Sequence, residues 1–139
     1  FCETPLNLKY INIDARNPFK IDESCFEGCS ALKTFCFDNV SEIKSNAFKN
    51  CNNLGSEVIL YATTLESNAF YGCSSAKIYL GATSIPTGFS YDWNVYNTYF
   101  YTAGNCYLNR YIDCFLYSEN EPIGYGYYWH FVDGIITEW

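Results

Sequence analysis

The 139-residue sequence contains no methionine, one histidine, four prolines and only eight Lys and Arg against fifteen Asp and Glu. A net charge of −7 leaves no basic stripe for phosphate groups, which excludes nucleic acid and anionic membrane surfaces as partners. No apolar run approaches the roughly 18 to 20 residues that a membrane span needs. A chain that begins at Phe1 without methionine reads as a processed or truncated fragment, with any targeting signal upstream. General-base chemistry has little to draw on, since His130 lies in the run Tyr128-Trp129-His130-Phe131-Val132 and reads as a packed or surface residue. Phosphate loops, Gly-x-Gly-x-x-Gly and Gly-x-Ser-x-Gly are missing. Glu23, Glu42, Glu57 and Glu66 are scattered at turns and form no carboxylate pair of the glycosidase kind. We therefore expect no catalysis and no cofactor.

The chain is rich in aromatic residues, with 14 Tyr and 11 Phe, a composition that rules out disorder. Its length suits one continuous body. Eight cysteines would suit a disulfide framework, a metal site or a repeat, and their spacing separates these. Cys29, Cys51 and Cys73 lie 22 residues apart. Around them Ile21-x-x-x-Cys25-Phe26-x-x-Cys29-x-x-Leu32 aligns with Ile43-x-x-x-Ala47-Phe48-x-x-Cys51-x-x-Leu54 and with Leu65-x-x-x-Ala69-Phe70-x-x-Cys73-x-x-Ala76. In this reading the three cysteines are small buried hydrophobes stacked in a ladder. Cys25, Cys29 and Cys36 lack the paired Cys-x-x-Cys of zinc sites, so no metal is expected.

Each unit is followed by a period-two alternation that predicts a strand: Phe35 and Phe37, Val58 and Leu60, Ile78 and Leu80. Leu8, Ile11 and Ile13 supply a strand before the first full unit. The Ile-x-x-x-Ala-Phe-x-x-Cys segment predicts a short helical turn. Ile85-Pro-Thr-Gly-Phe89 begins one more turn, with Phe one position early and Asp92 in the cysteine column. The expected fold is an α/β repeat solenoid with a parallel sheet of about four strands over residues 1–89, since one such unit cannot bury its own apolar face and must stack.

The repeated row resembles the BspA-type bacterial leucine-rich repeat, over about Leu6 to Phe89. That resemblance implies a cell-surface or secreted, non-catalytic binding or adhesion module. The stretches Phe115–Pro122 and Tyr128–Gly134 resemble a terminal segment of such proteins. Ala76 and Cys25 depart from the repeat consensus, which there has Leu and Ala.

From Phe89 the composition turns aromatic, with Asn and Gly punctuation that argues for strands. Residues 90–139 are expected to form a β-rich cap docked on the last repeat, because solenoid ends expose an apolar rung. Asp133-Gly134 between apolar flanks predicts a hairpin. A second hairpin turning about Asn109 and Arg110 would set Cys106 opposite Cys114, a placement that allows a disulfide without requiring one. Trp93 and Trp129 are candidate aromatic contacts for a sugar or a protein partner.

The remaining candidate surface is the sheet face. Its outward positions are Asn12, Cys36, Ile59 and Tyr79, flanked by Tyr10, Thr34, Asp38, Tyr61 and Lys77. A mixed, partly apolar strip of this kind marks an interface. The partner expected is a protein or glycan ligand on a host or cell surface, with glycan binding through the C-terminal aromatics as the alternative to protein binding, and the expected location is extracellular or at the cell surface.

Overall fold

A computed structural model describes residues 7–55, 57–93, 95–100, 107–111, 113–123 and 127–139, with the backbone alone for 95–100, 107–111 and 113–114. In chain order the strands are β1 (Tyr10–Ile11), β2 (Phe19–Ile21), β3 (Thr34–Phe35), β4 (Val40–Ile43), β5 (Val58–Leu60), β6 (Thr64–Leu65), β7 (Lys77–Leu80), β8 (Gly88–Phe89), β9 (Val95–Phe100), β10 (Tyr107–Tyr111), β11 (Asp113–Tyr117), β12 (Tyr128–Val132) and β13 (Ile135–Glu138). Each turn of the chain deposits one short strand on each of two sides. One side is a parallel sheet in the order β2, β4, β6, β8; the other holds the parallel pair β1 and β3 and a five-stranded sheet in the order β5, β7, β11, β12, β13. Between β3 and β5 the parallel ladder lapses among the described residues. Leu32 to Phe35 is three steps and Leu54 to Val58 is four, so the chain reaches β5 one residue late.

The helical part of the expected α/β class is corrected: the described residues contain no helix, and the stack is β-solenoid-like. Backbone hydrogen bonding gives the reason. In the first unit the amides of Cys25, Glu27 and Cys29 bond three residues back, to Asp22, Ser24 and Phe26, while those of Ser24, Phe26 and Gly28 reach across to the carbonyls of Ser45, Ala47 and Lys49. The next unit repeats this, with Asn46, Phe48 and Asn50 donating to Ser67, Ala69 and Tyr71. An α-helix needs every interior amide for its own i−4 carbonyl, so amides shared with the neighbouring rung cannot build one. Left-handed backbone at Ser24, Asn46 and Asn68 (φ 53° to 58°), and again at Gly28, Asn50 and Gly72 (φ 63° to 79°), turns the chain out of helical geometry twice per unit. Asn and Gly tolerate that region best, which is why they recur in these columns.

Inside, the equivalent residues form columns. Phe48 stacks on Phe26 (5.2 Å, 18°) and on Phe70 (5.4 Å, 5°), with Phe35 and Phe37 packed at 5.1 and 5.2 Å from it. The cysteine column is fully buried, and the thiols of Cys51 and Cys73 donate to the carbonyls of Phe26 and Phe48 at 3.1 and 3.0 Å. The neighbouring Cys73 thiol, and then burial, push the Cys51 thiol far above its ordinary range.

The last turn departs from expectation. Phe89 pairs with Leu65, so it continues the Ile21–Ile43–Leu65 column rather than the Phe column. Trp93 takes the alanine column: its carbonyl accepts from Phe70 at 3.3 Å as that of Ala69 accepts from Phe48 at 2.9 Å. The side chain of Trp93 is buried in the core and meets Phe89 edge-on at 5.1 Å.

β11 lies parallel to β7, pairing Cys114 with Ile78 and Phe115 with Tyr79. β12 follows β11 in parallel and β13 returns antiparallel to it through Asp133 (φ 51°) and Gly134 (φ 77°), a two-residue turn with both positions left-handed. The hairpin about Asn109 and Arg110 is not formed: both residues are within β10, opposite Thr98 and Asn97 of β9. Cys106 and the side chain of Cys114 lie outside the described residues.

Candidate functional site

The outward positions of β1, β3 and β5 form an open face. Tyr10 is 66% exposed, Asn12 and Thr34 are exposed, and Cys36 and Ile59 are half-buried. The register Tyr10↔Thr34 and Ile11↔Phe35 places the first four in two adjacent rows. Tyr61 is half exposed, and its ring lies against Gly81, where any Cβ would collide with it. The ring is thereby held by the next rung while one side stays in water. Where the ladder lapses, a cleft of about 230 Å³ runs among Lys33, Thr34, Glu57 and the apolar Phe35, Leu54 and Val58.

Farther along the same face the picture changes, because the β12–β13 hairpin folds back over it. Tyr79, expected to face outward and free, is 3% exposed. Its ring stacks on Phe115 at 5.1 Å and meets Trp129 edge-on at 5.7 Å, and its hydroxyl donates to Glu138 at 2.8 Å. Lys77 also reaches Glu138, at 3.1 Å, and its ammonium lies 5.7 Å over the Phe115 ring. The Tyr79 hydroxyl, then the Lys77 ammonium, hold the Glu138 carboxyl below its usual range. A second cleft, of about 400 Å³, opens at the seam between this face and the hairpin, lined by Glu57, Lys77, Tyr79, Ile136, Thr137 and Glu138.

Neither candidate tryptophan offers a ring to a ligand. Trp129 is fully enclosed and donates its indole N–H to the Leu80 carbonyl at 2.7 Å, and Trp93 belongs to the repeat core. Their aromatic surface is spent on packing: Trp129 also touches Tyr117 and Phe131 edge-on at 5.3 and 5.0 Å. His130 stacks on Trp139 at 3.9 Å. Among the described residues, no group of three or more His, Cys, Asp or Glu is placed to hold a metal ion, and no helix is long and apolar enough to cross a membrane.

On the opposite sheet, Lys20, Glu42, Lys44 and Glu66 alternate across successive rungs, with contacts of 2.8, 3.5 and 2.9 Å. Lys44, helped by the Ser45 amide and hydroxyl, holds the Glu66 carboxyl below its ordinary range. Its charges satisfy one another, which leaves the β1–β3–β5 face and the seam as the more available surfaces. The seam residues Glu57, Ile136 and Glu138 were not legible in the sequence, since Glu138 meets Tyr79 across 59 positions.

Comparison with known proteins agrees with the columns. The sequence model for the BspA-type leucine-rich repeat region matches residues 1–87, in six copies. No curated protein and no solved structure gave a match. Repeats of this kind are generally non-enzymatic and mediate protein binding. With well over half of its length matched and the repeat columns formed in three dimensions, the chain belongs to the BspA-type leucine-rich repeat family.

Proposed function

We propose that this chain is a cell-surface or secreted adhesion module that binds a protein partner, such as a host-matrix protein, on the open face formed by Tyr10, Asn12, Thr34, Cys36, Ile59 and Tyr61. The observation that carries this reading is the face itself: exposed aromatic and polar side chains on short strands whose inward residues are locked in the core. Rigid presentation lowers the ordering cost of binding, and Tyr serves well at interfaces because it combines apolar area with a polar tip. The glycan reading through Trp93 and Trp129 loses its support, since both rings are enclosed.

In the same reading, residues 90–139 close the stack that residues 1–89 build. Support comes from β11 adding to β7 as the next parallel strand, from Trp93 filling the alanine column of the last described turn, and from Trp129 anchoring on Leu80. A panel of immobilised matrix proteins and a glycan array, probed with the wild type and with Tyr10→Ala and Thr34→Glu, tests the binding role. Binding to a matrix protein, weakened about tenfold or more by either exposed-site change, is expected. Glycan binding without protein binding would overturn it.

A further inference from the structure

Among the described residues β13 pairs only with β12 and ends the order of its sheet. The Trp139 amide donates to the Tyr128 carbonyl at 3.1 Å. In an antiparallel pair successive residues alternate, so the amides and carbonyls of Ile136 and Glu138 point away from β12. Their side chains are already engaged: Ile136 packs on the Tyr79–Phe115–Trp129 cluster and Glu138 takes hydrogen bonds from Tyr79 and Lys77. What remains is a backbone edge that no described strand pairs with, bordering the seam cleft of about 400 Å³. An exposed strand edge is a template for another strand.

The charges of the cleft narrow the choice of occupant. Among the described residues Lys77 is the one cation lining it and is paired with Glu138, while Glu57 has no ion pair. The chain as a whole carries −7, so a second copy would bring like charge to this edge. We propose that β13 takes an extended, basic segment of a partner protein as an added strand, with the Ile136 and Glu138 backbone supplying hydrogen bonds and Glu57 meeting a Lys or Arg side chain. This is strand addition, in which main-chain bonds give affinity and alternate side chains give specificity. It rests on the protein-binding reading of the neighbouring face and names the chemistry of the partner.

The test uses the full chain and two blocked hexapeptides, one alternating Lys and Val and the other Glu and Val, with amide hydrogen exchange followed by NMR. The Lys–Val peptide is expected to slow exchange at Ile136 and Glu138 about tenfold or more, and the Glu–Val peptide to leave them unchanged. Glu57→Lys should weaken the Lys–Val peptide about tenfold. Ile136→Pro removes an outward amide while sparing the ladder to β12; it should abolish the slowing at Glu138 while exchange in β7 shows the fold intact. Equal slowing by both peptides, no slowing, or an effect spread over the acidic surface overturns the proposal. Slowing that grows with protein concentration and no peptide assigns the edge to a second copy and overturns it as well. Matrix-protein binding that is sensitive to Tyr10→Ala, together with a silent edge, would sink the added strand and leave the open face standing.

Discussion

Truncating Phe48 to alanine probes the core where the repeat logic is densest. Its ring is fully buried and lies within 5.1 to 5.4 Å of four others: Phe26 and Phe70 above and below in its column, and Phe35 and Phe37 from the strand side. Large-to-small aromatic changes in cores cost about 3 to 5 kcal/mol, rising with the cavity left behind. Here the cavity is walled by rigid rings held in neighbouring rungs, so little collapse is available. Each lost ring pair adds about 0.5 to 1.5 kcal/mol beyond area, though not additively. The expected loss is therefore near the top of the range, about 4 to 5 kcal/mol. With a urea m-value of about 2 kcal/mol/M for a chain of this size, the midpoint should fall by about 2 M at unchanged m. Phe26→Ala is the internal control, because Phe26 lines the cleft of about 500 Å³ at the N-terminal end of the described stack, whereas Phe48 lies between two described rungs. Its cost should be smaller by about 1 to 2 kcal/mol. A Phe48→Ala loss below about 1 kcal/mol, or a Phe26→Ala loss equal to it, would refute the column.

Other perturbations follow from the same geometry. The thiols of Cys51 and Cys73, bonded to carbonyls one rung away, should be titratable after denaturation without reductant, and a denatured chain with no thiols would contradict this. Because the folded chain holds the Cys51 proton more tightly than the unfolded chain does, that contribution to stability is complete below about pH 8.5 and is lost as pH rises above it; denaturant midpoints between pH 7 and 10 read the decline. Glu66 and Glu138 have the opposite sign, with carboxyls depressed by Lys44 and by Tyr79 with Lys77. Their contribution is present above about pH 4.3 and is lost as pH falls through the folded values, and Glu66→Gln should reduce the acid slope. A chain ending at Ile85 removes Trp93 and the strand that pairs with β7, so it should aggregate or melt well below the full chain. A monomeric, equally stable truncation would show that residues 90–139 do not close the stack.

Columns 22 residues apart, inward alternation at Phe35 and Phe37 or Val58 and Leu60, and the Asp133-Gly134 turn were all legible in the sequence, because each depends on local period and local backbone preference. The absence of helix among the described residues was not. Spacing such as Ile43-x-x-x-Ala47-Phe48 suits one face of a helix, and only a neighbouring rung, drawing the amides of Asn46, Phe48 and Asn50 across to itself, decides for a solenoid turn. Trp93 was misplaced for a related reason: only the neighbouring rung, whose Phe70 amide donates to the Trp93 carbonyl, assigns a tryptophan to the alanine column. Tyr79 and Trp129 carry the alternation and composition of surface residues. Tyr79 is covered by the β12–β13 hairpin, whose Glu138 lies 59 positions away, and Trp129, within that hairpin, is enclosed where it meets Leu80, 49 positions away. Both contacts are set by how two apolar surfaces meet in space and by no periodicity in the chain.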